Sequence, residues 1–172
     1  NFGRDVFSRV LYGGRMSLPV GFVAVGITAV VGVALGLIAG YYGRAIDSVI
    51  MRWVDIMLAF PGILLAMALV AILGPSLFNL MLAVGIAAIP EYTRVVRGTV
   101  LSAREAEYVV AVRVTGAPDH SIVLRHILPN VISAAIVFAM ADIVLNVLVT
   151  SSLSFLGLGE QPPNPEWGLM VA

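Results

Sequence analysis

Long apolar runs without charged residues alternate along the chain with shorter segments that carry most of the arginines. Positions 16–42 and 56–90 contain no charged residue, and positions 131–153 contain only Asp142. A helix needs about 20 apolar residues to cross the hydrocarbon core of a membrane, and each run is at least that long. Because the apolar residues are continuous, a strand barrel is disfavoured. The pattern therefore predicts an all-α, polytopic transmembrane helix bundle.

The run over 56–90 is too long for a single helix, and the turn signal Gly74-Pro75-Ser76 divides it. A kink is expected inside the first of the two resulting helices, because Pro61 brings no backbone donor. We therefore predict a single transmembrane domain over 1–172 with four spans, at about 16–42, 53–73, 77–93 and 131–153.

The arginines are divided unevenly between the two sides of such a bundle. Seven lie on the side of the loops over 41–53 and 94–130, and three lie on the side of the termini and the 74–76 turn. Because cytoplasmic loops are enriched in basic residues, we expect the 94–130 loop in the cytoplasm and a loop over 154–168 outside. The chain opens with Asn1 rather than methionine, so we expect a fragment of a longer protein that lacks flanking spans.

Composition narrows the chemistry that the chain can carry. It is 60% apolar and 12% charged, with a mean hydropathy of +1.01, whereas soluble domains are about 45–50% apolar and about 25% charged. All ten basic residues are arginines, and there are no cysteines and only two histidines. A lysine-dependent phosphate loop and a cysteine or three-histidine zinc site are therefore excluded, and zero net charge does not indicate nucleic-acid binding. We expect no catalytic residue, cofactor or metal, which leaves transport, a channel or a membrane scaffold.

Small residues recur at every fourth position of the first span and so lie on one face of its helix. Small side chains allow a neighbouring helix to approach closely in a membrane. We expect Gly32, Gly36 and Gly40 to form such a packing face. Gly21 lies outside this face, so a larger side chain there is expected to do less harm.

Polar residues form a stripe in the fourth span, where Asp142, Asn146 and Thr150 follow one another at four-residue steps. A charged residue within a membrane is costly and must face protein or water. The stripe is either a wall of a translocation path or an interhelical hydrogen-bond site. Because acidic residues in spans also mark proton relays, a proton-coupled secondary transporter or channel that uses Asp142 is an alternative function.

The predicted cytoplasmic loop is too long for a simple connection between two spans. Glu105 and Glu107 suit the first turn of a helix, which ends at Gly116. Asp119 is expected to cap a second short helix that ends before Pro129. The loop is thus predicted to form a helix–glycine–helix unit, which is either a docking surface or a pair of helices at the lipid headgroups.

The segment over 104–130, REAEYVVAVRVTGAPDHSIVLRHILPN, resembles the EAA loop of the permeases of binding-protein-dependent ABC importers. In that pattern EAA is followed by three residues, a glycine, nine residues and I-x-L-P. Gly116 matches the glycine, and Leu128 and Pro129 match the closing pair. Further stretches are similar to the second, OppC/DppC-like permease of dipeptide, oligopeptide and nickel importers: GRDVFSRVLYG over 3–13, MRWVDIMLAFPGILLA over 51–66, VVRGTVLSAREAEYV over 95–109 and LSFLGLGEQPPNPEWG over 153–168.

The resemblance implies the permease subunit of an ATP-driven importer, with a fold like that of type I ABC importers and a place in the cell inner (plasma) membrane. Its implied partners are the lipid bilayer, a homologous permease subunit, two ABC ATPase subunits that bind the ATP, and an extracytoplasmic substrate-binding protein. The subunit would form the translocation path for dipeptides, oligopeptides or nickel by alternating access, without catalytic residues of its own.

The resemblance also implies which positions couple the loop to the ATPases. Four positions match the pattern: Ala111, Gly116, Leu128 and Pro129. The EAA triplet falls on Val110-Ala111-Val112, so its acidic residue is absent, and an ion pair from it to an ATPase is expected only if Glu105 or Glu107 takes its place. The external loop over 154–168 is implied to meet the binding protein, and Trp167 takes part in that contact or serves as an interfacial anchor.

Overall fold

The computed structural model describes residues 6–159 and 167–171, and in these ranges every regular element is a helix. The elements are α1 (Val6–Tyr42), α2 (Arg44–Leu58), α3 (Gly62–Leu73), α4 (Leu77–Ala103), α5 (Glu107–Val114), α6 (Asp119–Ile122), a π-helical turn (Val123–Ile127), α7 (Leu128–Phe155) and α8 (Trp167–Val171). The predicted all-α class is confirmed.

Two continuous helical segments in the described ranges are long and apolar enough to cross a membrane, Val6–Tyr42 and Asp119–Phe155. The pair α2 and α3 meets the same criterion when taken together, but it bends by 88° at its break. α4 contains the predicted span over 77–93 and continues to Ala103, so the segment predicted as a loop begins as helix. The arrangement of four spans stays a prediction.

Two helices occupy the region where one kinked helix is predicted over 53–73, and Pro61 is the reason. α2 ends at Leu58, and Pro61 has an extended ψ of 128° before α3 begins at Gly62. Proline disfavours helical backbone in the residue before it and brings no N–H to the preceding turn. Its own carbonyl accepts hydrogen bonds from the amides three and four residues later, at 2.9 and 3.1 Å. Pro61 therefore ends one helix and starts another.

The second helix of the cytoplasmic loop does not end before Pro129, contrary to the prediction from sequence. α6, the π-helical turn and α7 form one continuous helical segment over Asp119–Phe155. In a regular helix the proline ring would clash with the carbonyl four residues earlier. The wider turn relieves this clash, because the amide of Leu128 bonds to the carbonyl of Val123, five residues back. The helix that leaves the loop thus continues into the apolar run.

Contacts divide the described chain into two compact units, where the sequence predicts a single domain. Unit 1 contains the described residues of Asn1–Ile27, Phe60–Ala88 and Ala141–Ala172, and unit 2 contains Thr28–Ala59 and Ile89–Met140. Helices α1, α4 and α7 each contribute residues to both units. The predicted cytoplasmic loop belongs to unit 2, and the described part of the predicted external loop belongs to unit 1.

The core of unit 1 consists mostly of small and branched side chains. Its buried members are Ala24, Ala66, Val70, Leu80, Ala83, Val84 and Leu153. A Cβ atom built on Gly85 would lie 3.0 Å from the carbonyl oxygen of Ala24. Gly21 is closed in the same way, because its Cβ would lie 2.6 Å from Val147 Cγ2. A larger side chain on Gly21 would therefore meet α7, so lying outside the small-residue face does not make the substitution mild.

The core of unit 2 includes larger side chains and takes in the cytoplasmic loop. Its buried members are Leu37, Tyr92, Val96, Val100, Val109, Ile122, Ile127, Val131 and Ala135. The hydroxyl of Tyr92 donates to the carbonyl of Ala135 at 2.6 Å, which satisfies the one polar group of this aromatic residue. Five members lie within the predicted loop: Val96 and Val100 are in the part that forms the end of α4, and Val109, Ile122 and Ile127 follow it. The loop is thus packed into unit 2, and its position relative to the lipid headgroups stays a prediction.

Candidate functional site

The turn between α5 and α6 depends on Gly116, whose φ of +81° lies in the left-handed region. A Cβ atom at this position would meet nothing within 4 Å, so the backbone conformation, rather than lack of space, requires glycine. The amide of Gly116 donates to the carbonyl of Arg113 at 3.1 Å, which satisfies one acceptor at the end of α5. The structure thus contains a helix–glycine–helix unit in the loop.

Helix α5 has one buried face and one exposed face. Val109 is fully buried in the core of unit 2, and Val112 packs against that core. Ala111 and Val114 are exposed. Because the first pair holds the helix in place, the face that carries Ala111 is both rigidly supported and accessible to a partner.

The two acidic residues expected to replace the missing acid of the EAA triplet lie near the start of α5. Glu105 is exposed in the turn before the helix, and its carboxylate lies 3.5 Å from Arg104 Nη2. Glu107 is exposed in the first turn of α5, where a negative charge interacts favourably with the helix dipole. Both carboxylates are therefore accessible at the end of α5 that precedes Ala111.

The closing pair of the loop sits where α7 begins. Leu128 packs against the core of unit 2, whereas Pro129 is exposed. The next residue, Asn130, donates from Nδ2 to the hydroxyl of Tyr108 and to the carbonyl of His126, each at 2.9 Å. This side chain joins α5 to α7. The sequence gives no signal for the contact, because its two side chains lie 22 positions apart.

A second contact that the sequence does not predict joins the end of α1 to the start of α6. The hydroxyl of Tyr41 donates to Asp119 Oδ1 at 2.6 Å. Asp119 is expected to cap α6, but Pro118 occupies the capping position and no side chain bonds to the helix end. The guanidinium of Arg113 lies 5.9 Å from the centre of the Tyr41 ring, within cation–π range. These side chains border a cavity of about 380 Å³, lined by Tyr41, Tyr42, Arg104, Glu105, Arg113 and Asp119.

Arg97 of α4 and Arg104, which directly follows α4, hold neighbouring segments of unit 2. Arg97 forms a forked pair with Asp47 of α2, from Nε to Oδ1 at 2.5 Å and from Nη2 to Oδ2 at 2.6 Å. The hydrogen bond from Arg97 lowers the pKa of the Asp47 carboxyl, so the pair stays ionised at neutral pH. Arg104 Nη1 donates to the carbonyl of Gly40 at 2.9 Å, near the end of α1. The two contacts hold the end of α4, which leads into the loop, to α2 and to the end of α1.

The small-residue face of α1 packs against α4 within unit 2. Cβ atoms built on Gly32, Gly36 and Gly40 would lie 3.0, 2.6 and 2.7 Å from side-chain atoms of Tyr92, Val96 and Val100, respectively. Distances under 3.0 Å are essentially never seen for real Cβ atoms. A side chain on Gly36 or Gly40 would therefore force the two helices apart.

The polar stripe of α7 is largely buried in unit 1. Asn146 is 4% exposed and Thr150 is 2% exposed, while Asp142 is half-buried. Ser154, one turn further, is fully buried and extends the stripe. No described residue hydrogen-bonds to Asn146 Nδ2, Thr150 Oγ1 or Ser154 Oγ. The stripe is thus buried without hydrogen bonds from these atoms, and its role as a path wall or as an interhelical hydrogen-bond site stays a prediction.

Trp167 packs against its own chain in unit 1. Cβ atoms built on Gly13-Gly14 would lie 2.9 and 3.1 Å from the indole ring, so the glycines form a notch for it. The indole N–H donates to the carbonyl of Val10 at 2.9 Å, and the backbone N–H of Trp167 donates to Ser17 Oγ at 3.2 Å. These bonds hold Trp167 to α1, and its roles as an interfacial anchor or a contact with the binding protein stay predictions. Residues 160–166 of the predicted external loop lie outside the described residues.

The family of binding-protein-dependent transport system inner membrane components matches residues 32–172 of this sequence. The chain belongs to this family. The resemblance inferred from the EAA-like loop is therefore confirmed. The matched range of this chain begins on the small-residue face of α1 and contains α2 to α8. It therefore includes the loop and the polar stripe.

Named relatives match nearly all of the chain. It is 51% identical over 172 residues to the dipeptide transport system permease protein DppC of Alkalihalophilus pseudofirmus, covering 100% of this chain and 57% of that protein. It is 47% identical over 171 residues to the glutathione transport system permease protein GsiD of Pectobacterium atrosepticum, covering 99% of this chain and 57% of that protein. For GsiD of Escherichia coli O6:K15:H31 (strain 536 / UPEC) the identity is 49% over 171 residues, covering 99% of this chain and 56% of that protein. The chain thus spans somewhat over half the length of these relatives.

Proposed function

We propose that this chain is part of the permease subunit of an ATP-driven importer in the cell inner membrane. The observation that carries the proposal is the α5–Gly116–α6 unit of a chain that belongs to the binding-protein-dependent transport family. Val109 fixes the unit in a core and Ala111 lies on its exposed face. A surface of this kind can receive motion from a partner and pass it to the helices.

The proposed complex contains a homologous permease subunit, two ABC ATPase subunits and an extracytoplasmic substrate-binding protein. The ATPases would bind and hydrolyse ATP, and this subunit would be non-catalytic and supply the path and a coupling surface. Small peptides are the proposed substrates, because the relatives are named for the transport of dipeptide and of glutathione, which is a modified tripeptide. The binding protein would make most of the choice among them.

Coupling in this proposal requires the loop to bind the ATPases differently in two states of the transporter. A displacement at the exposed face of α5 would reach the core of unit 2 through Val109. It would reach α1 through the bond between Tyr41 and Asp119, and α7 through the bond between Tyr108 and Asn130. Each route is a direct contact, so the loop and the adjoining helix ends are expected to move together.

The substitution Ala111→Asp tests the proposal in the complete transporter, reconstituted with its ATPases and binding protein. We expect peptide uptake and substrate-stimulated ATP hydrolysis to fall roughly tenfold or more, because the contact would bury an unpaired charge. Ser102→Asp is the matched control, since Ser102 is exposed near the end of α4. Unchanged uptake and hydrolysis in Ala111→Asp, at membrane levels equal to the parent, would exclude α5 from coupling.

A further inference from the structure

Helix α2 exposes a continuous apolar stripe. Its four residues follow at three- and four-residue steps and so share one helix face: Ile46, Val49, Trp53 and Ile56. Their exposed fractions are 46%, 71%, 42% and 58%, respectively. Apolar side chains exposed together in this way mark an interaction surface.

The opposite edge of α2 is bound to unit 2. Val54 is fully buried there. Asp47 is held by Arg97 in the forked pair, and Asp55 accepts a hydrogen bond from Arg94 Nη2 at 2.6 Å. Both acidic residues of α2 are therefore neutralised by arginines of α4. The attachment of α2 to its own unit does not use the apolar stripe.

The basic residues of α2 are available to another partner. Arg44 and Arg52 are exposed, and neither side chain forms an ion pair with any described residue. Arg52 adjoins the stripe, because Val49 lies three residues before it and Ile56 four residues after it. With both aspartates neutralised, the outer surface of α2 is apolar along one side and positively charged beside it.

The chain places the start of α2 where a candidate membrane span ends. Gly43 alone separates α1 from α2; its φ is +63°, and that of Arg44 is +48°. Helical backbone has negative φ, so α2 starts in a new direction at the end of α1. The arginine distribution predicts that this end is cytoplasmic. With 15 residues, α2 is about 22 Å long, too short to cross a core of about 30 Å.

We propose that α2 lies in the cytoplasmic headgroup layer of the membrane and binds anionic phospholipid. The apolar stripe would enter the acyl boundary with Trp53 at the interface, where tryptophan is enriched. Arg44 and Arg52 would bind the lipid phosphates. A membrane surface fits the stripe because α2 directly continues a candidate span whose last residue, Tyr42, is itself exposed. This surface is distinct from the proposed coupling face of α5.

Spin labels on α2 test where the stripe lies. The chain contains no cysteine, so Val49→Cys on the stripe and Ser48→Cys on the polar flank can be labelled with a nitroxide. The complete transporter, with other accessible cysteines replaced by serine, is placed in vesicles of phosphatidylcholine and phosphatidylglycerol. We expect oxygen to relax the label at 49 more than a water-soluble nickel chelate does, and the reverse at 48. A label at 49 that neither reagent reaches would show a protein partner instead, and one reached mainly by the chelate would show an aqueous surface; either result overturns the proposal.

Lipid selectivity tests the role of the arginines. Quenching of Trp53 by brominated phosphatidylglycerol and by brominated phosphatidylcholine is measured as the difference between the parent and Trp53→Phe. The parent should prefer the anionic lipid, and Arg44→Gln and Arg52→Gln should each lower that preference roughly fivefold. Arg125→Gln, which removes an exposed arginine outside α2, should leave it unchanged. Equal preference in the parent and both α2 variants would overturn anionic-lipid binding, whatever the outcome of the Ala111→Asp experiment.

Discussion

Unit 2 and unit 1 treat their buried polar side chains differently. In unit 2, the buried hydroxyls of Thr93 and Tyr92 each donate a hydrogen bond to a backbone carbonyl. In unit 1, the side chains of Asn146 and Thr150 are more than nine-tenths buried, yet no hydrogen bond links their Nδ2 and Oγ1 atoms to the described part of the chain. The first arrangement is complete within the chain, and the second has capacity for further bonds.

This difference in hydrogen bonding suggests different roles for the two units in the proposed mechanism. A region whose polar groups are already paired keeps its shape when it is pushed, so unit 2 suits the transmission of motion from the loop. A buried polar stripe with bonds still to make costs free energy, about 1–3 kcal/mol for each unsatisfied group. We therefore expect unit 1 to respond most to what it meets in the complete transporter.

The largest effect is expected at Gly36, where α1 and α4 approach each other closely in unit 2. A Cβ atom on Gly36 would lie 2.6 Å from Val96 Cγ1 and 3.0 Å from the backbone nitrogen of Arg97. Overpacking costs about 1–3 kcal/mol, and the upper end is expected because backbone lies in the way. Gly36→Leu should therefore lose most of the intact complex on detergent extraction.

The matched control for that substitution is Gly26→Leu. Gly26 is on the same helix but exposed, and a Cβ there would meet nothing within 4 Å. The amount of intact complex and its thermal midpoint should stay near those of the parent. If both leucine variants gave the same yield, close approach of α1 to α4 would not be what stabilises unit 2.

The next effect concerns the polar stripe of unit 1 and separates the importer from a proton-coupled carrier. Asp142→Asn keeps the shape and polarity of the side chain and should retain most ATP-dependent uptake. Asp142→Leu removes the polar group and should cost more, about 1–3 kcal/mol, because the groups around it lose a partner. The measurement is uptake in reconstituted vesicles across a range of external pH. Loss of all uptake in Asp142→Asn, with a proton-gradient requirement in the parent, would favour the carrier and contradict the importer.

A smaller effect is expected at the turn of the loop. Gly116→Val places a side chain on backbone with φ of +81°, which costs about 1–2 kcal/mol, and the branched Cβ adds to this. We expect coupled ATP hydrolysis and uptake to fall while membrane insertion stays intact. Gly98→Val is the control, because Gly98 is exposed within α4 and has no close neighbour. Equal activity of the two variants would show that the Gly116 turn does not matter for coupling.

The smallest effects compare two ion pairs of unit 2. Side-chain exposure is 27% and 19% for Arg97 and Asp47, and 52% and 59% for Arg94 and Asp55. Exposed pairs contribute about 0.2–1 kcal/mol, whereas hydrogen bonds to charged groups that are partly buried contribute about 1.5–3 kcal/mol. Arg97→Gln should therefore lower the thermal midpoint of the complex more than Arg94→Gln does. The reverse order would show that the forked geometry adds nothing.

The effect of Arg97→Gln should change with pH only in the strongly acidic range. Because the pKa of Asp47 is lowered from its ordinary value of 3.8, the pair contributes fully above that value. Its contribution is lost as the pH falls further, through the lower pKa of the folded state. The gap in thermal midpoint between the parent and Arg97→Gln should thus be constant from neutral to mildly acidic conditions. A gap that closed near pH 6 would point to a different group.

The sequence by itself determined the features that depend on neighbouring residues. Continuous apolar runs specify helices with the capacity to span a membrane. The turn at Gly116 follows from a residue that alone adopts positive φ without strain. The break at Pro61 follows from the missing N–H, although the pattern could not tell a kink from a complete break, because that depends on whether surrounding contacts hold the helix together.

Only the tertiary structure decided which distant side chains meet. Asp119 is a residue type that often caps helices, yet its carboxylate accepts a hydrogen bond from Tyr41, 78 positions earlier. Trp167 is a residue type that is enriched at membrane surfaces, and only the structure shows that its ring fills a notch beside Gly13. Gly21 and Gly26 cannot be told apart by residue type, but only Gly21 faces another helix closely. In each case the contact depends on packing between segments that are far apart in the chain. The local sequence pattern contains no information about such contacts.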